Sequence, residues 1–222
     1  MIPLYDTLRT RHFPLVTLLL ILVNALVFLY ESRLSPTGLR AFILDGGLIP
    51  QQLNEGLATA WWTVFTSMFM HGGWFHILTN MWVLFIFGDN VEARLGGIPY
   101  LIFYLSSGVA AALLQMILLP ASSIPVVGAS GAIAGVLGAY MLLFPHSRVA
   151  SLVPILFIFT LVEVPAFIYL AFWFVSQLFS GLMSLEGMDS SGIAWWAHVG
   201  GFVFGAAASV IFPRRRSVST RW

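Results

Sequence analysis

Long apolar runs separated by short polar connections recur from one end of the chain to the other. None shows the period-two alternation of a half-buried strand or of a membrane barrel, so the runs read as helices. The first extends from Phe13 to Tyr30, and the clearest from Tyr100 to Leu119. Runs of about 20 residues suit helices crossing a ~30 Å hydrocarbon layer. A run from Trp74 to Leu95 is interrupted by His76 and Asn80 and ends in Asp89, Asn90, Glu92 and Arg94. Another, Ala129 to Phe144, is short enough to cover only about 24 Å as a helix. Leu152 to Leu178 contains Glu163 and Pro165, and Ile193 to Phe212 is stopped by Arg214, Arg215 and Arg216. The pattern predicts one all-α domain over 1–222, a polytopic membrane bundle with six spans near 13–30, 74–95, 100–119, 129–144, 152–178 and 193–212.

Between the first two spans lies the one long polar stretch, Glu31 to about Ala60, closed by Trp61 and Trp62 in the manner of interfacial aromatics. The first run could pass for a secretory signal. However, Leu29, Tyr30, Glu31 and Ser32 offer no small-x-small cleavage site, so it is expected to stay as span 1.

Composition agrees with the pattern. Of 222 residues, 59% are hydrophobic and 9% charged, where a soluble domain carries about a quarter charged residues. The absence of cysteine excludes disulfides, thiolate metal sites and a cysteine nucleophile. The net charge of +1 says little, but its placement says more. All ten basic residues are arginine, and six spans place Arg9, Arg11, Arg94, Arg148, Arg214, Arg215, Arg216 and Arg221 on one side. Arg33 and Arg40, in the long first loop, fall on the other. The positive-inside rule then makes both termini cytoplasmic.

Span parity gathers the polar residues. Spans 2, 4 and 6 all begin at the outer face, which puts His76, Asn80, Ser130 and His198 in the outer half of the bilayer. Span 4 is too short to reach both surfaces, so its start is expected below the membrane face, lining a wet cavity. Gly128-Ala129-Ser130-Gly131 resembles a nucleophile turn, with the serine hydroxyl beside free N–H groups of a helix start that can hold an oxyanion. Gly131, Gly135 and Gly138 with Ala134 also read simply as a packing face. His198 lies on a second small-residue stripe (Ala194, Gly201, Gly205, Ala208), which lets spans 4 and 6 approach and bring His198 to Ser130 as general base. A buried histidine that only hydrogen-bonds a neighbour is the plainer alternative. His76 and Asn80, four apart, share one helical face. They can serve as oxyanion donors or as interhelical hydrogen-bonding glue. No carboxylate accompanies Ser130 and His198 at the outer ends, so a dyad rather than a triad is expected. Glu163 on span 5 could serve as the acid, but nothing in the sequence places it there, and a structural or cytoplasmic-half polar contact is expected. A zinc site from His71, His76 and His198 lacks any metal-ligand spacing.

Taken together, four motifs resemble the rhomboid intramembrane serine proteases over nearly the whole chain. They are His71-Gly72-Gly73-Trp74-Phe75-His76-Ile77-Leu78-Thr79-Asn80, Val91-Glu92-Ala93-Arg94-Leu95-Gly96, Gly128-Ala129-Ser130-Gly131, and Ala197-His198-Val199-Gly200-Gly201 with Gly205. The resemblance implies Ser130 as nucleophile and His198 as general base and acid. It implies an oxyanion hole formed by His76, Asn80 and the Ser130 backbone N–H. His71 matches a structural loop histidine, Glu92 and Arg94 a structural polar pair at the cytoplasmic end, and Gly201 and Gly205 the close packing of spans 4 and 6. Where the family often carries Trp-Arg in the first loop, this chain reads Trp61-Trp62-Thr63.

The expected function is therefore that of a serine endopeptidase cleaving transmembrane segments of other membrane proteins near the outer face. It would need no cofactor and no metal, and its partners would be such substrates and the lipid bilayer, with no nucleic acid. Its expected place is the prokaryotic plasma (inner) membrane. Pro165, as a kink in span 5, and the glycines Gly181, Gly187 and Gly192 suggest a gate for sideways substrate entry. Two rivals are an inactive relative that binds clients, which would have lost Ser130 or His198, and a transporter, which would favour paired charges near the midplane.

Overall fold

The first helix, α1 (Leu15–Glu31), turns its polar residues inward. Thr17, Asn24 and Glu31 are buried along with Leu20 and Phe28, while Leu15, Leu19, Leu22, Leu26 and Leu29 face outward. Spacings of three and four separate the two sets onto opposite faces. A helix in water shows the reverse arrangement. An outward leucine face is stable where the surroundings are themselves apolar, and it continues on later helices at Phe85, Ile102, Leu113, Phe172, Phe179 and Val210.

The structure is a computed structural model that describes residues 1–8, 10, 12–56, 60–155, 158–186 and 192–211. Arg9, Arg11, Gly187 and the arginines from Arg214 onward lie outside the described residues. Strand β1 (Ile2–Asp6) precedes α1. The polar stretch after α1 folds into two short helices, α2 (Pro36–Gly46) and α3 (Pro50–Glu55), each with proline in its first turn. Proline is tolerated there because that N–H has no intrahelical partner. The Ser35 hydroxyl accepts from the Gly38 N–H at 3.2 Å as the cap of α2. Exposed Trp61 and Trp62 lead into α4 (Thr63–Thr66) and a 3₁₀ turn over Ser67–Phe69. Long helices α5 (Trp74–Leu95), α6 (Gly97–Leu118) and α7 (Ser130–Leu143) follow. Two strands, β2 (Arg148–Ile155) and β3 (Ile158–Pro165), then precede α8 (Ala166–Leu185) and α9 (Trp195–Ile211). Among the described residues, α6 and α8 are the helices long and apolar enough to cross a membrane by length and composition.

Helices thus occupy all six predicted segments, but the fifth only from Ala166 onward, and its start is corrected. The apolar run from Leu152 does not begin a helix. Arg148–Ile155 and Ile158–Pro165 form an antiparallel pair of strands that joins β1 in a three-stranded sheet of order β1-β2-β3. The physical reason lies in the residue types. Val149, Val153, Ile155, Ile158, Thr160, Val162 and Val164 are β-branched, and Pro154 interrupts any helical ladder. Proline is accommodated at 154 because β1 pairs only as far as Leu152, leaving that edge of β2 without a ladder partner. Pro165 caps the start of α8 rather than kinking it. Glu163 sits exposed on β3 opposite Ala150, away from the polar cluster of the helices. The all-α expectation is corrected by this small sheet.

Helix α7 is the axis of the bundle. Every residue from Gly131 to Tyr140 is buried, which is why this segment is apolar and small on all sides instead of amphipathic. Its main partner is α9, with α6, α5 and α8 around it. The sheet is tied to the end of α7 remote from Ser130, where Asp6 accepts hydrogen bonds from Tyr140 Oη and from Asn90 Nδ2. Trp82 Nε1 donates to the Pro3 carbonyl at 2.6 Å, fastening β1 to α5.

Candidate active site

Ser130 is the first residue of α7, and the backbone before it is tightly held. An isolated bridge pairs Leu48 with Val126, and the Gly128 N–H donates to the Ser67 carbonyl at 2.8 Å. Gly128 adopts φ +128°, a left-handed conformation that other residues rarely adopt. A β-carbon there would also stand 2.7 Å from the His76 ring. The turn therefore requires glycine on two counts, and it leaves the first N–H groups of α7 open beside the Ser130 hydroxyl.

Facing Ser130 is the first turn of α9. The Gln115 side chain of α6 accepts from the Ala197 N–H at 3.1 Å, pinning that turn. His198 Nε2 lies 2.8 Å from Ser130 Oγ, and His198 Nδ1 lies 2.7 Å from Gln177 Oε1 on α8. Trp173 lies beside the imidazole, with ring centroids 6.0 Å apart, and Trp195 meets it edge-on. The approach of α7 and α9 rests on missing side chains. A β-carbon on Gly201 would lie 2.0 Å from the Gly131 carbonyl oxygen, and one on Gly205 the same distance from that of Gly135. The close packing expected of Gly131, Gly201 and Gly205 is thus backbone against backbone.

A cavity of about 750 Å³ opens over this pair. His76 and Asn80 line it from α5, and Trp173 and Gln177 from α8. Asn80 is buried, and its amide nitrogen has no partner among the described residues. The Gly72 N–H donates to His76 Nδ1 at 3.4 Å, so in the neutral ring the hydrogen sits on Nε2, the atom next to Gly128. Among the described residues neither of these side-chain donors has an acceptor, and both line the cavity together with Ser130.

The remaining predicted residues are placed as follows. His71 is buried behind the cavity, its ring edge-on to His76 with centroids 5.0 Å apart. Its N–H donates to the Glu31 carboxylate at 3.2 Å. Burial, reinforced by the neighbouring His76, pulls His71 down to about 4, so it is neutral near pH 7. Glu92 is fully buried at the opposite end and accepts from the Val16 N–H, the Thr17 N–H and the Thr17 hydroxyl at 2.7–3.0 Å. It caps the start of α1, a favourable place for a carboxylate. Arg94 lies in the last turn of α5. Among the described residues no three His, Cys, Asp or Glu side chains converge to hold a metal ion.

Sequence reasoning missed Gln177, Gln115, Glu31 and Asp6. The available signal was the rule that polar groups inside apolar helices carry roles, which covers amides as well as ionisable groups.

Comparison with known proteins identifies the family. The family model described as Rhomboid domain matches residues 58–215. The Bacillus subtilis protein named Rhomboid protease GluP is 28% identical over 211 residues, 94% of this chain and 37% of that protein. Rhomboid-like protein 11, chloroplastic, from Arabidopsis thaliana is 31% identical over 116 residues, 52% of this chain and 38% of its own length. Rhomboid protein 1, mitochondrial, from Saccharomyces cerevisiae is 31% identical over 124 residues, 54% of this chain and 34% of its own length. In each case the match spans well under half of the relative. The family model covers most of this chain, and the chain belongs to the rhomboid family of helical, polytopic membrane proteins.

Proposed function

We propose that the protein is an intramembrane serine endopeptidase that cleaves transmembrane segments of other membrane proteins, with Ser130 as nucleophile and His198 as base. The observation that carries this reading is the 2.8 Å contact between His198 Nε2 and Ser130 Oγ at the floor of an open cavity. Nucleophile and base within hydrogen-bond reach, with the base oriented by a third group, is the arrangement of an activated serine.

Ser130 Oγ attacks the scissile carbonyl carbon while its proton passes to His198 Nε2. The carbonyl oxygen gains the negative charge and is received by the Ser130 N–H, His76 Nε2–H and Asn80 Nδ2. The C–N bond then breaks as His198 returns the proton to the leaving nitrogen, leaving an acyl-Ser130 ester. Water, deprotonated by His198, hydrolyses the ester and restores Ser130. Donors already in place cost no reorganisation when the charge develops. Glu92 and Arg94 act structurally, as does His71.

The membrane setting is part of the proposal. The six long helices are the six spans, and the positive-inside rule puts both termini and the sheet on the cytoplasmic side of a prokaryotic plasma membrane. Ser130 then opens toward the outer face. Substrate enters sideways between α5 and α8, whose Thr79, Val83 and Trp173 all line the cavity. Helix α8 is the gate, with Gly192 (φ +70°) in the connection after it.

Purified wild type, Ser130→Ala and His198→Ala should be incubated in detergent with a single-span substrate. Wild type is expected to cut near the outer end of the span and both variants to be inactive. Cutting by Ser130→Ala at the wild-type rate would refute the mechanism. A wild type that neither cuts nor reacts at Ser130 with a fluorophosphonate probe would favour a client-binding role.

A further inference from the structure

We infer that Gln177, held by Ser176, is a positioning residue that fixes the tautomer of His198 and so makes Nε2 the proton acceptor toward Ser130. The inference rests on the proteolytic reading above and extends its dyad to a hydrogen-bond relay whose direction can be read atom by atom.

The relay begins on the backbone of α8. Ser176 has one hydroxyl hydrogen, and its Oγ lies 2.6 Å from the Trp173 carbonyl, an atom that can only accept. Ser176 Oγ therefore faces Gln177 as an acceptor, and the Gln177 atom 3.0 Å away must be the NH₂ group. That assigns the other end of the amide, the atom 2.7 Å from His198 Nδ1, as the carbonyl oxygen. A carbonyl oxygen demands a hydrogen on Nδ1. In a neutral imidazole the lone pair then falls on Nε2, 2.8 Å from Ser130 Oγ, where a base must present it. With the amide reversed, Nδ1 would accept, Nε2 would carry the hydrogen, and the ring could not take the serine proton.

Burial makes this arrangement costly to leave to chance. Gln177 is 7% exposed on a largely apolar helix, where an unpartnered amide is unfavourable. Among the described residues no carboxylate hydrogen-bonds to the His198 ring. The titratable side chain facing it is His76 across the cavity on α5. The neutral amide of Gln177 thus occupies the place that an acid holds in a serine-protease triad. It also comes from a different helix than either member of the dyad, so the state of the base depends on where α8 sits.

The test uses the full chain in detergent with a single-span substrate and compares Gln177→Met, Gln177→Glu and Ser176→Ala with wild type. Methionine preserves volume without an acceptor, and kcat is expected to fall about 10- to 100-fold, the scale at which outer partners of a functional histidine act, with KM within about twofold. Glutamate restores the acceptor and, as the neutral acid, also a donor to Ser176. It is expected to recover most of the rate, with the acid limb of the kcat profile no lower in pH than in wild type. Ser176→Ala is expected to lose less than Gln177→Met. Histidine ¹⁵N NMR should show His198 protonated on Nδ1 in wild type and shifting toward the Nε2–H form in Gln177→Met. A folded Gln177→Met with wild-type kcat and an unchanged ¹⁵N spectrum would overturn the inference, as would a Gln177→Glu no better than methionine. Ser130→Ala, run beside them, keeps the two readings apart: if it too cuts normally, it is the dyad itself that fails.

Discussion

Gly205 on α9 lies so close to Gly135 on α7 that a β-carbon on Gly205 would stand 2.0 Å from the Gly135 carbonyl oxygen. One turn nearer the cavity, Gly201 meets Gly131 in the same way. The separation of Ser130 and His198 is therefore set by two backbones in contact, with no side chain that could yield. Gly205→Ala must push α9 away, and overpacking of this kind costs about 1–3 kcal/mol. The thermal midpoint in detergent is expected to fall by several degrees, and the rate of Ser130 labelling by a fluorophosphonate with it. An alanine variant that melts and labels like wild type would show that the helices have slack.

The turn ahead of Ser130 makes a separate demand. Gly128→Ala places a side chain at φ +128° and 2.7 Å from the His76 ring. Strained backbone of this kind costs about 1–3 kcal/mol, and relief by moving the turn would displace Ser130 from His198 and His76 from the cavity. We expect kcat to fall by at least about tenfold, more than global stability accounts for. Comparing kcat at a temperature where both proteins are fully folded separates the two effects.

Asn80 presents a buried amide nitrogen that has no partner among the described residues. Donors that find their acceptor only as charge develops lower the barrier without tightening substrate binding. Asn80→Ala is expected to lower kcat by about 10²-fold, the low end for loss of one oxyanion donor, with little change in KM or in labelling of folded protein by temperature. A raised KM with kcat unchanged would instead place Asn80 in ground-state binding.

How much of this was legible in the sequence varied with the range of the interaction. The glycine-flanked Ser130 and His198 stand out because polar groups in apolar runs are few, and helix spacing alone puts His76 and Asn80 on one face. Residues 152–165 are not legible in the same way. A β-branched apolar strand and a membrane helix look alike to hydropathy, and the partner that decides between them, β1, lies more than a hundred residues earlier. Gln177 is hidden for a related reason: one amide in a long apolar helix gains its meaning only when another helix brings His198 to it. The direction of that contact depends on Ser176 and the Trp173 carbonyl, which no spacing rule anticipates.

At the far end of the bundle, Asp6 links the sheet to α5 and α7 through Asn90 and Tyr140. Burial pushes its carboxyl up to about 6 from an ordinary value of 3.8, against the opposing pull of the Tyr140 hydrogen bond. Folded protein therefore holds this proton more tightly than unfolded chain. Between about pH 4 and pH 6 the native state binds more protons, so the contribution of Asp6 to stability is fully present below that window and is lost as pH rises through it. Asp6→Asn keeps an oxygen to accept from Tyr140 and Asn90 but has no charge to bury. Relative to the variant, wild type is expected to be less stable at pH 7.5 than at pH 4.5. Thermal midpoints of both proteins at the two pH values measure the difference directly. Midpoints that move in parallel would mean that the Asp6 carboxyl titrates alike in folded and unfolded chains, and that the contacts to Tyr140 and Asn90 hold it without regard to its charge.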